Sequence, residues 1–95
     1  MAEVLLEAWQ FHGPPEIVAA VSDSVAGGTL GPPDLRCRLI SSAGTSITVQ
    51  VVDGGVPQAP DALLFVRGWG AYALLRREAW PGGRVLLTLV EWPER

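Results

Sequence analysis

The sequence predicts an α/β two-layer sandwich: a mixed, mostly antiparallel sheet of about four or five strands, covered on one face by two or three helices. Three observations lead there. Apolar residues recur at helical spacing early in the chain, they alternate with polar ones in two later stretches, and glycine and proline punctuate the joints. A sheet that is wet on one face needs a cover on the other, and the amino-terminal helices supply it.

Residues 2–11 set Val4, Leu5, Ala8 and Trp9 at helical spacing with Glu3 and Glu7 opposite, which predicts a short amphipathic helix stopped at Gly13-Pro14. Its first turn is acidic, as the helix dipole prefers. After Pro14-Pro15, Ile17, Val18, Val21 and Val25 repeat at three and four residues until Gly27-Gly28, which predicts a second helix. Residues 29–33 form a Gly/Pro turn region. Leu35, Cys37 and Leu39 alternate with Arg36 and Arg38; Ile47, Val49 and Val51 alternate with Thr48 and Gln50. That is a hairpin with one wet face, turning through residues 42–45. Residues 53–60 (DGGVPQAP) read as a loop. Tyr72, Leu74 and Leu75 suggest a short helix opening after Gly68-Trp69-Gly70, and a second hairpin follows, 77–80 with 84–92, joined by Pro81-Gly82-Gly83.

The 95 residues suit one domain, 1–95, with no room for a second. An apolar fraction of 48% against 18% charged residues argues for a packed interior. A chain this short buries only about 60–65% of its unfolded surface, so a partner or a second copy can contribute to its stability. The net charge is −3 and all seven basic residues are arginine. Arg76-Arg77, Arg36 and Arg38 are too few to neutralise several phosphates, which excludes a nucleic-acid binder. One cysteine, Cys37, and one histidine, His12, give neither an intrachain disulfide nor a zinc site. No apolar run approaches the ~18–20 residues that span a bilayer, and the amino terminus is acidic where a signal peptide is basic, so the expected compartment is the cytoplasm.

Several boxes carry a resemblance. VSDSVAGG on the second predicted helix resembles the VSELVTNA box of small bacterial anti-sigma-factor serine kinases, which belong to the histidine-kinase-like (Bergerat-fold, GHKL) ATPases. A Gly/Pro loop and the Arg-alternating LRCRL follow, VVDGG is similar to the V-x-D-x-G box at the adenine pocket, RGWGAYALL to the phosphate-loop box, and WPGGRVLLTL to the final hairpin. The resemblance covers about residues 4–92, without the family's first strand and with a short nucleotide lid. It implies that Asp53 accepts the adenine amino group, that Gly55 lets the chain approach the purine, and that Gly68 and Gly70 shape the phosphate loop. Asp23 would stand where the family has its activating glutamate. Gly27 falls where the magnesium-binding asparagine belongs, and the chain contains no asparagine at all. Magnesium needs oxygen ligands that glycine lacks, and Asp23 is one methylene short of glutamate.

The resemblance therefore implies a degenerate site: no metal, at most a weak hold on ATP or ADP, and no catalytic residue unless Asp23 is active. The leading expectation is a nonenzymatic regulatory or protein-interaction module in bacterial signalling or transcription control. Its partner would be a protein, such as a sigma factor or an anti-sigma antagonist, or a second copy of the chain, with no nucleic acid and no membrane. The alternatives are an ATP/ADP-binding protein without kinase activity and an active serine kinase. Each residue also has a plainer reading. Asp53-Gly54-Gly55 is an ordinary turn after a strand, and Gly68 and Gly70 can equally shape a hinge or let Trp69 pack. Asp23 can be a solvated surface residue, and His12 a helix cap. Cys37 alternates onto the apolar face as a core thiol, and Ser22 and Ser24 lack an activating histidine. Trp9 fits a core face, while Trp69, Trp80 and Trp92 lie near turns and divide between core and partner surface.

Overall fold

The computed structural model describes residues 3–11, 17, 20, 21, 23, 27, 28, 31–57 and 62–92. Six strands make up its elements: β1 (Leu5–Phe11), β2 (Leu35–Ala43), β3 (Ser46–Gly54), β4 (Leu63–Val66), β5 (Gly70–Trp80) and β6 (Arg84–Glu91). They close into a barrel in the ring order β1-β2-β3-β6-β5-β4, and every neighbouring pair is antiparallel. Closure satisfies the edge groups that an open sheet leaves unpaired.

The interior is filled evenly. Each strand sends two apolar side chains inward at i and i+2: Leu6 and Ala8, Leu35 and Cys37, Ile47 and Val49, Leu64 and Val66, Tyr72 and Leu74, Leu87 and Leu89. Facing partners such as Leu6–Cys37, Val49–Leu87 and Leu64–Tyr72 sit opposite one another in the ladders, so the register itself stacks the core into layers.

Three register shifts interrupt the alternation, between Leu39 and Ser41 of β2, opposite Val52 on β3, and between Leu74 and Arg76 of β5. The extra residues are Ile40, Val52 and Leu75, which are 49%, 52% and 67% exposed. A bulge inserts one unpaired residue and reverses the facing of everything after it. The sequence records this as adjacent apolar pairs, Leu39-Ile40, Val51-Val52 and Leu74-Leu75.

A second, smaller core lies outside the barrel wall. Trp9, Phe65 and Ala71 are register neighbours on the outer face of β1, β4 and β5, and with Phe11 they pack against Ile17, Val21 and Trp92. The Phe11 and Trp92 rings meet edge to face at 5.9 Å.

This architecture overturns the α/β sandwich and, with it, the resemblance to the histidine-kinase-like ATPases, whose fold carries helices on one face of an open sheet. No helix is delimited among the described residues. Residues 2–11, expected as the first helix, contain β1, because that strand buries both faces: Leu6 and Ala8 point into the barrel, Trp9 and Phe11 into the outer cluster. A strand buried on both sides loses its period of two and can imitate helical spacing. The helix expected after Gly70 is the start of β5, whose bulge at Leu75 breaks the alternation in the same way. β4 is a short, fully apolar run that the sequence reading passed over. Of the second expected helix, Ile17, Ala20, Val21 and Asp23 have helical backbone and the Gly27 amide donates to the Asp23 carbonyl at 2.9 Å; its other residues, with His12, Ser22 and Ser24, lie outside the described ones. Among the described residues no helix is long and apolar enough to cross a membrane.

Candidate functional site

β5 is the longest strand because it outruns its neighbours. Its pairing with β4 ends at Ala73, and the pairing of β3 with β6 ends at Gln50–Leu86. Beyond those points β5 and β6 continue as a two-stranded arm, with Arg76 opposite Thr88, Glu78 opposite Leu86 and Trp80 opposite Arg84. Pro81-Gly82-Gly83 closes it, both glycines at positive φ (82° and 76°), where a side chain would be strained.

The Leu75 bulge decides which residues the arm shows outward. Arg76, Glu78 and Trp80 follow Thr88, Leu86 and Arg84 on the outer face; Arg77 and Ala79 turn inward. Trp80 is half exposed, its indole N–H donating to Glu78 Oε2 at 3.2 Å, while Arg76 Nε lies 2.9 Å from Glu78 Oε1. On the inner side, Val56, Arg77, Ala79 and Val85 line an open cleft of about 260 Å³ at the mouth of the barrel. Arg77 is held on its wall by a hydrogen bond from Nη1 to the Pro57 carbonyl, 3.3 Å.

The residues assigned to a nucleotide by resemblance fall in two places. Asp53 lies at the end of β3 and Gly55 directly after it, whereas Gly68 and Gly70 flank Trp69 where β4 turns into β5. β3 and β4 stand opposite one another in the ring, three strand spacings apart either way, roughly 14 Å around the wall at ~4.8 Å per strand. Asp53 Oδ1 accepts the Gly54 amide at 2.9 Å, and its other oxygen lies 3.6 Å from Arg36. Gly68 takes φ 81° in a turn closed by the Trp69 amide on the Val66 carbonyl at 2.9 Å, the position where a type II turn needs glycine. Asp23 is exposed on the segment between β1 and β2.

Between those two places runs a surface ladder. Arg67 Nε lies 3.3 Å and Arg36 Nε 3.8 Å from the Glu7 carboxylate, and Arg36 reaches on to Asp53. The Arg67 guanidinium also covers the Trp9 ring at 5.1 Å. All four charged side chains are at least a third exposed, so each pair is worth little. Cys37 is buried between strands, and burial pushes its thiol up to about 12, which leaves it protonated and unreactive at neutral pH. Among the described residues no group of His, Cys, Asp and Glu gathers as a metal site.

Sequence reasoning missed Asp34, which fastens the end of the barrel. Asp34 Oδ2 accepts the Gln10 amide at 2.7 Å, its own amide donates to the Ala8 carbonyl at 2.9 Å, and its carbonyl accepts the Gly55 amide at 3.0 Å. The signal was present as an aspartate after Pro32-Pro33 immediately before a strand. It also left the division of the tryptophans open. Trp9 is 3% exposed and Trp92 half-buried against Phe11, whereas Trp69 and Trp80 stand out at 41% and 50%. Comparison with known protein families, curated proteins and solved structures finds no match for this chain.

Proposed function

We propose that this chain is a nonenzymatic protein-interaction module that docks a protein partner through the outer face of the β5–β6 arm. The observation that carries this reading is the half-exposed Trp80 opposite Arg84, placed where the arm leaves the barrel and therefore has no core of its own to bury it. A half-exposed tryptophan forgoes apolar burial that a partner can restore, and tryptophan and arginine are the residues that most often anchor interfaces. Leu86 lies diagonally next to Trp80 and extends the apolar surface, with Glu78 and Arg76 as a polar rim. The ladder of β5 and β6 fixes these side chains on a ribbon before any partner arrives, which lowers the entropy cost of docking.

Size sets a limit on the contact. The five residues from Arg76 to Trp80 extend only about 17 Å, while a stable interface buries roughly 1,200–2,000 Å² in total. The arm is then the anchor at the centre of a larger contact that reaches onto β3.

The test is site-specific photo-crosslinking in cells that produce the protein, with the reactive side chain placed at Trp80 and, as a control, at Ser42, which is exposed on β2 across the ring from β5. The expected result is a discrete adduct from position 80 and none from position 42. Equal labelling from both positions, or none from either, would remove the arm as the docking surface.

A further inference from the structure

The outer face of the β5–β6 arm is nearly neutral in a chain of net charge −3. Its rows set Trp80 opposite Arg84, Glu78 opposite Leu86 and Arg76 opposite Thr88, and Ala73 opposite Val90 follows on the barrel wall. Arg76 and Glu78 neutralise one another at 2.9 Å, and the same glutamate accepts the Trp80 indole N–H at 3.2 Å. Two acidic copies of one chain repel at long range, so a contact between them is best made where each brings little charge of its own.

The rows are also complementary to themselves. A half-turn about an axis running along the arm, between β5 and β6, exchanges the two strands and lays one face on the other. Trp80 then covers the second copy's Arg84, while Arg84 meets the second copy's Trp80, so two residues of one chain supply both halves of a reciprocal cation–π pair. In the next rows Glu78 meets Leu86 and Arg76 meets Thr88, so no row sets like charge directly on like charge.

We infer that the partner docked at the arm is a second copy of this chain, held by a two-fold contact in which Trp80 and Arg84 pair reciprocally. This rests on the interaction reading and names its partner. The face runs about 25 Å from Ala73 to Trp80 and is two strands wide. Thr48 and Gln50, next to Thr88 and Leu86 on β3, give it an uncharged rim. The contact then buries on the order of 1,000 Å² in total, the range of transient rather than permanent pairs, so the dimer forms and dissociates with concentration.

The experiment is an NMR dilution series of the isotope-labelled full chain from about 1 mM to about 0.01 mM, a range that brackets weak affinities. The amides of Glu78, Trp80, Arg84 and Leu86 should shift with concentration, and translational diffusion should slow towards that of a dimer. Trp80→Ala and Arg84→Gln should each weaken association about three- to tenfold, whereas Arg36→Gln, which removes the same charge from β2, should leave it unchanged. Reciprocal pairing has a signature of its own. The mixed dimer of Trp80→Ala with Arg84→Gln keeps one Trp–Arg contact where each variant's own dimer keeps none. It should be about threefold tighter than the geometric mean of the two variant dimers, once the statistical factor for unlike pairs is removed. A monomer throughout the series, indifference to both arm variants, or a mixed dimer no tighter than that mean overturns the inference. The two readings fail separately: a monomer throughout, with an adduct at position 80 whose mass differs from two copies of the chain, leaves the arm as an interaction surface and removes the second copy as its partner.

Discussion

At the residue scale, two adjacent glycines carry unequal burdens. Gly54 has φ 99° and faces Leu35 across the ladder, where an added Cβ would overlap the Asp34 carbonyl oxygen and the Leu35 Cα. Both atoms are backbone, so nothing nearby can rotate away. Gly55 has open space around it and no positive φ. Gly54→Ala should therefore cost about 2–4 kcal/mol in urea unfolding, and Gly55→Ala no more than about 0.5 kcal/mol. A reversal of that order would show that the end of β3 is built differently. Cys37 gives a pH signature. Its thiol titrates at 9.0 when unfolded and about 12 when folded, so below 9 both states hold the proton and stability is intact. Between those values only the folded state holds it, and stability falls as pH rises, by up to about 1.4 kcal/mol per pH unit. Tyr72, raised by burial and then by Glu91, adds a loss in the same direction above its ordinary value of 10.0. Comparing urea unfolding of the native chain and Cys37→Ala at several pH values from neutral upward isolates the cysteine, whose variant should show the shallower decline.

At the scale of the element, the bulges matter more than any single contact. Leu75 is 67% exposed and unpaired, so Leu75→Ser should change stability by less than about 0.5 kcal/mol. Deleting Leu75 should do much more, because a one-residue slip turns Arg76, Glu78 and Trp80 inward and Arg77 outward. The readout is the Trp80 environment: fluorescence quenching by iodide should fall in the deletion and stay unchanged in Leu75→Ser. The hairpins β2–β3 and β5–β6 were legible in the sequence because alternation and the Gly44 and Pro81-Gly82-Gly83 turns coincide there. β1 and the first half of β5 were not, since each combines inward residues with an outward apolar neighbour, Trp9 beside Ala8 and Leu75 beside Leu74. Periodicity reports burial, and where both faces are apolar it reports nothing about the backbone. The arm as a candidate site was half legible: Trp80 at a Pro-Gly-Gly turn stood out, but its facing depends on a bulge visible only in the register.

For the molecule as a whole, stability rests on one closed interior. Leu87 is fully buried, on the strand that joins the two hairpins of the ring. Leu87→Ala should cost about 2–5 kcal/mol, a large share of the roughly 5–15 kcal/mol that holds a domain of this kind together. Thermal unfolding should then shift by on the order of 10 °C or more, and a change of only a degree or two would mean that the barrel is not the cooperative unit. What the sequence by itself determined was the two antiparallel hairpins with their turns, a buried thiol at Cys37, and an acidic chain whose arginines are sparse. What only the tertiary structure decided was closure: that β1 pairs with both β2 and β4, that the outer faces of β1 and β4 bear a second core, and that Asp53 and Gly68 end on opposite sides of a ring. Closure is a property of long-range pairing. A short-range pattern of apolar residues fits an open sheet under helices and a closed barrel alike, and the choice between them lies in contacts between residues far apart in the chain.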